Sequence, residues 1–138
     1  MIRKSRALFL MVILAILSVS ACDTRKPGDP APLNDTPALE KLAEAYKEIS
    51  DQLPVSPVNL PPKARLKFVE DVFEKAGYGY KETLASLANV QKEEITKLHR
   101  DMLELAFMPH YRMKYDTLSE IYSENEIIAI DKIKTVFK

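Results

Sequence analysis

The stretch from Tyr80 to Met108 constrains the fold of this chain most. Its apolar positions recur at alternating steps of four and three residues, the heptad spacing of a helix seam, and charged residues fill the opposite face. The spacing predicts one helix over 80–108, roughly 43 Å long at ~1.5 Å per residue, around which the other helices pack. The seam residues are Leu84, Ala88, Gln91, Ile95, Leu98, Met102 and Leu105.

Two roles for this seam are open from the sequence. It either packs against the chain's own shorter helices or forms a self-associating or partner coiled coil. Gln91 is the polar member of the seam. A polar seam residue of this kind sets register or oligomer state at a cost in stability.

Four further helices are predicted from apolar residues at helical spacing. Thr36-Pro37 resembles a helix start, Pro61-Pro62 precedes the second helix, and Ser123 with Glu126 fits a capping box before the last one. The last two helices are either separate or continuous. The predicted ranges are 37–53, 63–76, 111–122 and 124–137.

The connections between these helices carry strong turn signals. Four prolines fall within 54–62, a density that no helix or central strand survives, and two glycines in 77–80 mark a tight turn. A strand at 127–130 would have no second strand to pair with. We therefore expect an all-α fold, a small irregular antiparallel bundle of four or five helices built on the long one.

The first 21 residues have the pattern of a secretory signal. Arg3, Lys4 and Arg6 form a basic start, and an apolar run of 11 residues follows from Ala7 to Leu17. A helix that crosses the hydrocarbon core needs about 20 such residues, so this run is too short to span it. A short anchor that is never cleaved is the alternative reading.

The stretch Val19-Ser20-Ala21-Cys22 closes that run and contains the chain's one cysteine. It resembles the lipobox of bacterial lipoproteins. The resemblance covers residues 1–22 and implies cleavage before Cys22, a diacylglyceryl thioether on its sulfur and usually an acyl group on its new amine. Two or three acyl chains give a stable membrane anchor. In enteric-type lipoproteins, an acidic residue such as Asp23 after the cysteine favours retention in the inner membrane.

The polar, proline-rich segment that follows predicts a flexible tether over 22–35, with the helical domain over 36–138. Coil and polyproline limits for this length place the domain ~20–40 Å from the bilayer. The domain would lie on the periplasmic or extracytoplasmic side.

The sequence offers no recognisable catalytic residues, metal site or cofactor motif. The two histidines, His99 and His110, lack the convergent ligands that zinc needs. Loss of Arg3, Lys4 and Arg6 from the 20 basic residues leaves 17 against 20 acidic ones, a formal charge of −3. A near-neutral exported chain has no basic field for nucleic acid. We therefore expect a protein that is not an enzyme.

The turn near residue 110 concentrates aromatic, methionine and cationic side chains, which are enriched at interface cores apart from lysine. These residues either seal the end of the bundle or form a partner-binding surface. The candidate surface residues are Tyr111, Arg112, Met113, Tyr115 and Tyr122.

We expect a membrane-anchored binding or assembly protein whose partner is another protein of the bacterial cell envelope. One alternative is an immunity, exclusion or inhibitor lipoprotein that blocks an incoming factor. The other is a structural protein that self-associates through the heptad seam.

Replacement of the lipidated sulfur tests the anchor. We expect Cys22→Ser to abolish lipid labelling and to move the protein out of the membrane fraction, because the oxygen cannot form the thioether. The neighbouring change Ser20→Ala, which keeps a small residue there, serves as the control. Retention of the Cys22→Ser variant in the membrane at the parent level would rule out the lipobox interpretation.

Overall fold

A computed structural model describes residues 25–111 and 113–138. Within these residues the chain forms seven α-helices and two short 3₁₀ turns, Pro57–Asn59 and Met108–His110, and its only strand-like pairing is an isolated parallel bridge between Pro30 and Gly79. The prediction of an all-α small bundle is confirmed. The helices are α1 (Thr36–Ser50), α2 (Pro62–Lys75), α3 (Tyr80–Leu87), α4 (Lys92–Ile95), α5 (Arg100–Phe107), α6 (Tyr115–Ile121) and α7 (Glu124–Val136).

Helices α1 and α2 begin and end close to the predicted residues. Proline lies in the first turn of both, where its missing N–H removes no helical hydrogen bond. The two helices pack together through an edge-to-face contact between Tyr46 and Phe68, whose ring centroids are 5.3 Å apart. The apolar face of α2, which includes Val69 and Phe73, lies in the core.

The prediction of one long helix over 80–108 was wrong, because this stretch forms three separate helices, α3, α4 and α5. At the end of α3, the Nζ of Lys132 donates to the carbonyl oxygens of Leu87, Ala88 and Val90. The last carbonyls of a helix have no partner inside it. The ammonium group of α7 supplies that partner and so stabilises the early end of α3.

The same break changes the meaning of the heptad seam. Leu84, Ile95 and Met102 are buried in one common core, but they come from three different helices. Gln91, the predicted polar seam residue, is exposed at the start of α4. Without a continuous helix the seam cannot form a coiled coil, so the apolar spacing reports packing within the chain.

Helices α6 and α7 are separate. α6 begins at Tyr115, four residues later than predicted, because a 3₁₀ turn and an extended Tyr111 come first. The predicted capping box is present before α7, where the backbone N–H of Ser123 donates to Oε2 of Glu126 at 2.6 Å. This cap begins a new helix instead of extending α6.

The segment 28–33 was predicted as part of a flexible tether, but it packs on the domain. Ala31 and Leu33 are buried, and the N–H of Ala31 donates to Oγ1 of Thr83 at 2.9 Å. The neighbouring prolines fix the backbone and lower the entropy lost on ordering. A few small apolar contacts therefore suffice here, so the domain begins before residue 36.

Gly79 lets this segment approach the bundle. Its N–H donates to the carbonyl oxygen of Asp29 at 3.0 Å. A Cβ added at Gly79 would collide with the carbonyl oxygen of Gly28 and the carboxylate of Glu82. Glycine is thus required here for close backbone approach.

We expect Gly79→Ala to lower the free energy of unfolding by about 1–3 kcal/mol, because the methyl group displaces segment 28–31. Urea denaturation measures the change, and hydrogen exchange at the Ala31 N–H locates it. Ser86→Ala, an exposed change on the same helix, should stay within about 0.5 kcal/mol of the parent. Parental stability and parental Ala31 protection in Gly79→Ala would show that the segment does not need this contact.

Candidate functional site: an apolar groove beside a buried arginine

A groove of about 1130 Å³ runs between α1, the 3₁₀ turn Pro57–Asn59, α5 and the C-terminal Phe137. Small-molecule pockets usually measure about 300–1,000 Å³. The groove therefore has the size of a binding site, and it is open to solvent along one side.

Apolar side chains form most of its surface. One wall comes from α1, where successive helical turns place Leu39, Ala43 and Tyr46 on one side. The facing wall comes from α5 and the turn after it. The apolar lining residues are Leu39, Leu42, Ala43, Tyr46, Val58, Leu60, Met102, Leu105, Phe107, Met108, Tyr111 and Phe137.

Acidic residues also line the groove. Glu40, Asp101 and Glu104 are exposed. Glu104 forms an exposed ion pair with Arg100 at 3.2 Å. The groove thus combines an apolar floor with negative charge at its edge.

Arg65 is the cation among the lining residues, and its side chain leaves the first turn of α2. The residue is only 6% exposed. Its Nη2 donates to the carbonyl oxygen of Tyr111 at 2.9 Å. Its buried Nε has no hydrogen-bond partner among the described residues. No carboxylate of residues 25–111 or 113–138 lies within ion-pair distance of it.

This arrangement is energetically expensive. Guanidinium stays charged in proteins and offers five N–H donors. A buried charge without a counter-ion costs several kcal/mol, and one carbonyl contact satisfies only part of the group. Arg65, a lining residue of the groove, therefore carries a positive charge that no described carboxylate neutralises.

The structure separates the predicted partner-binding residues. Tyr111 lines the groove and is 54% exposed, whereas Tyr115 is 65% exposed but lies outside the groove lining. Met113 is half-buried against the core, and Arg112 lies outside the described residues. Tyr122 is 4% exposed, so its inclusion in a partner-binding surface was wrong. Its ring packs edge-to-face on His110 and belongs to the core.

A buried polar cluster lies beneath this region. The hydroxyl of Tyr80 donates to the carbonyl oxygen of Ala106 at 2.7 Å and lies 2.9 Å from Nε2 of His110. Because the Tyr80 hydroxyl uses its one proton to donate to Ala106, its oxygen acts as the acceptor toward His110. The Nε2–H of His110 therefore donates to the Tyr80 oxygen. Burial raises the pKa of the Tyr80 and Tyr122 hydroxyls and lowers the pKa of His110 to about 3. The imidazole is therefore neutral at physiological pH.

Neither a membrane span nor a metal site is present in the part of the chain that the structure describes. No helix of that part is long and apolar enough to cross a bilayer, and no group of three or more His, Cys, Asp or Glu side chains there could hold a metal ion. Cys22 and Asp23, the predicted lipidation and sorting residues, lie outside the described residues.

Comparisons with protein-family models, with curated proteins and with solved structures find no match.

Sequence reasoning missed Arg65, although a signal was available. Arg65 precedes Phe68, Val69 and Val72 by three, four and seven residues, so it lies on the apolar stripe of α2. A charged residue on such a stripe indicates a buried polar site. The groove itself had no signal, because its walls come from helices that are distant in sequence.

His110 gives the domain a specific pH dependence. Its pKa is 6.5 in the unfolded chain and about 3 when folded, so the unfolded state takes up a proton below about pH 6.5, whereas the folded state does so only near pH 3. Stability from this residue is fully present above pH 6.5 and is lost as the pH falls toward 3. Between pH 7 and 5 the loss is about 2 kcal/mol.

When the pH falls from 7 to 5, we expect the free energy of unfolding to decrease by about 2 kcal/mol less in His110→Phe than in the parent. Urea denaturation at each pH measures both values. Carboxylate titration contributes to both proteins and cancels in the comparison. NMR of the His110 ring in the parent provides a second readout, in which the ring should stay neutral down to pH 5. Protonation of the ring near pH 6.5 would contradict the prediction.

Proposed function

We propose that this chain is a lipid-anchored, non-enzymatic binding protein of the bacterial cell envelope, and that the groove is its binding site. The observation that carries the proposal is an open groove of about 1130 Å³ with an apolar floor and an unneutralised buried arginine. Contiguous exposed apolar surface is unfavourable in water and marks sites of interaction. The lipobox-like residues up to Cys22 support the membrane location.

The packed N-terminal segment supports a position close to the bilayer. Backbone hydrogen bonds hold the chain from Gly28 onward, and the guanidinium of Arg25 lies 5.8 Å from the centre of the Tyr78 ring. Gly28 lies six positions after Cys22, and six residues of extended chain span roughly 20 Å. A lipid on Cys22 would therefore hold the domain nearer to the membrane surface than a tether of 22–35 allows.

The break of the helix over 80–108 removes the basis for a self-associating coiled coil. An immunity, exclusion or inhibitor role would use the same groove, and no separate feature of the domain favours it. We therefore propose a binding protein whose amphipathic partner reaches the groove at the membrane.

Site-specific photocrosslinking in intact membranes tests this function. The chain offers matched pairs of exposed residues, one in the groove lining and one outside it. Val58 and Tyr111 line the groove, whereas Val55 and Tyr115 are exposed elsewhere. We expect a photoreactive residue at 58 or 111 to crosslink the same membrane component and one at 55 or 115 not to do so.

Two results would contradict the proposal. Equal crosslinking at all four positions would indicate random collisions in the membrane. Absence of crosslinks at 58 and 111, in protein that is correctly folded and membrane-bound, would show that the groove is not the binding site.

A further inference from the structure

We infer that the groove binds a single acyl chain that ends in a carboxylate, with the carboxylate on Arg65 and the hydrocarbon along the apolar walls. This inference rests on the proposed role of the groove as the binding site. It adds the chemical class of the ligand.

The charge of Arg65 identifies the ligand's polar end. The residue lines the groove and is more than nine-tenths buried, and its Nε has no hydrogen-bond partner among the described residues. Arginine cannot lose its proton to relieve that burial. A carboxylate matches the planar guanidinium and supplies the negative charge that the described residues do not provide.

The walls identify the rest of the ligand. Twelve of the 17 described lining residues are aliphatic, aromatic or methionine, and Asn59 is the one amide side chain among the 17. An extended peptide would bury backbone N–H and C=O groups that this surface cannot satisfy. A hydrocarbon chain requires no such partners, and the flexible side chains of Met102 and Met108 adapt to its shape.

The acidic rim limits the ligand to one buried negative charge. Glu40 and Asp101 are exposed in the groove lining and have no ion-pair partner among the described residues. These carboxylates repel additional anions, as in a phosphorylated lipid or an anionic bilayer surface. A ligand with a single negative charge beside Arg65 avoids that repulsion, because only its uncharged hydrocarbon lies next to the acidic side chains.

An amphipathic helix is the main competing occupant, because it satisfies its own backbone. It would place an acidic side chain on Arg65 only by inserting a rod about 10–12 Å wide beside a residue that is 6% exposed. A slender chain end reaches the guanidinium with less displacement of the walls. The structure therefore favours the acyl carboxylate.

Calorimetric titration of the mature chain carrying Cys22→Ser tests the inference. The probes are dodecanoate and tetradecanoate below their micellar concentrations, with the 1-alkanols of equal length as uncharged matches. We expect saturable binding, with affinity rising about fourfold per added CH₂. The carboxylate should bind at least tenfold more tightly than the alcohol, the effect of a charged hydrogen bond.

Variants locate the charge. Arg65→Met should remove the preference for carboxylate over alcohol, and Arg65→Lys should restore part of it. Lys63→Met, an exposed change on the same helix outside the lining, should leave the preference intact. If Arg65→Met does not fold, the affinities of the parent protein for the carboxylate and for the alcohol of equal length still test whether the site prefers a negative charge.

Equal affinity of the parent for carboxylate and alcohol would overturn the inference, as would an unchanged preference in folded Arg65→Met. Absence of saturable acyl binding together with groove crosslinks to a membrane protein would also overturn it, and the proposed function would stand. Absence of both would remove the proposed function as well.

Discussion

The side chain of Lys132 contacts three carbonyl oxygens at the point where α3 ends. These contacts satisfy the end of α3 and join it to α7, the helix that packs most extensively against α3. Since α3 ends there, α4 and α5 can turn back across the domain. Residues of α5 and α1 then line the groove from two sides.

The N-terminal segment contributes a second constraint through backbone proximity. The N–H of Gly79 donates to the carbonyl oxygen of Asp29, and its missing side chain leaves room for the carbonyl oxygen of Gly28. The N–H of Ala31 donates to Oγ1 of Thr83. These contacts hold residues 28–33 on the domain, although they were predicted to be part of a flexible tether. We call this segment the strap. If Cys22 carries a lipid, the strap couples the distance between domain and bilayer to the fold itself.

Sequence signals that act within one helical turn predicted the helix starts reliably. Features that depend on contacts between distant parts of the chain were not predicted. The prolines at the starts of α1 and α2 and the capping box at Ser123 predicted where these helices begin to within one residue, because each signal acts within one helical turn. The heptad spacing over 80–108 reported burial correctly for Leu84, Ile95 and Met102 but not continuity of the helix. At the break, the carbonyl oxygens are contacted by Lys132, which lies more than forty residues away in the sequence. The groove and the role of Arg65 depended on the same long-range packing.

Two basic side chains of the core respond differently to burial. His110 and Arg65 are both almost fully buried. Burial lowers the pKa of His110 to about 3, so its imidazole loses the proton and carries no charge in the core. Arg65 lacks that route, because guanidinium keeps its proton in proteins. The carbonyl of Tyr111 provides a dipole but no negative charge. In our proposal, an anion in the groove supplies the negative charge that the described residues do not provide for Arg65, and the apolar walls determine which anions can enter.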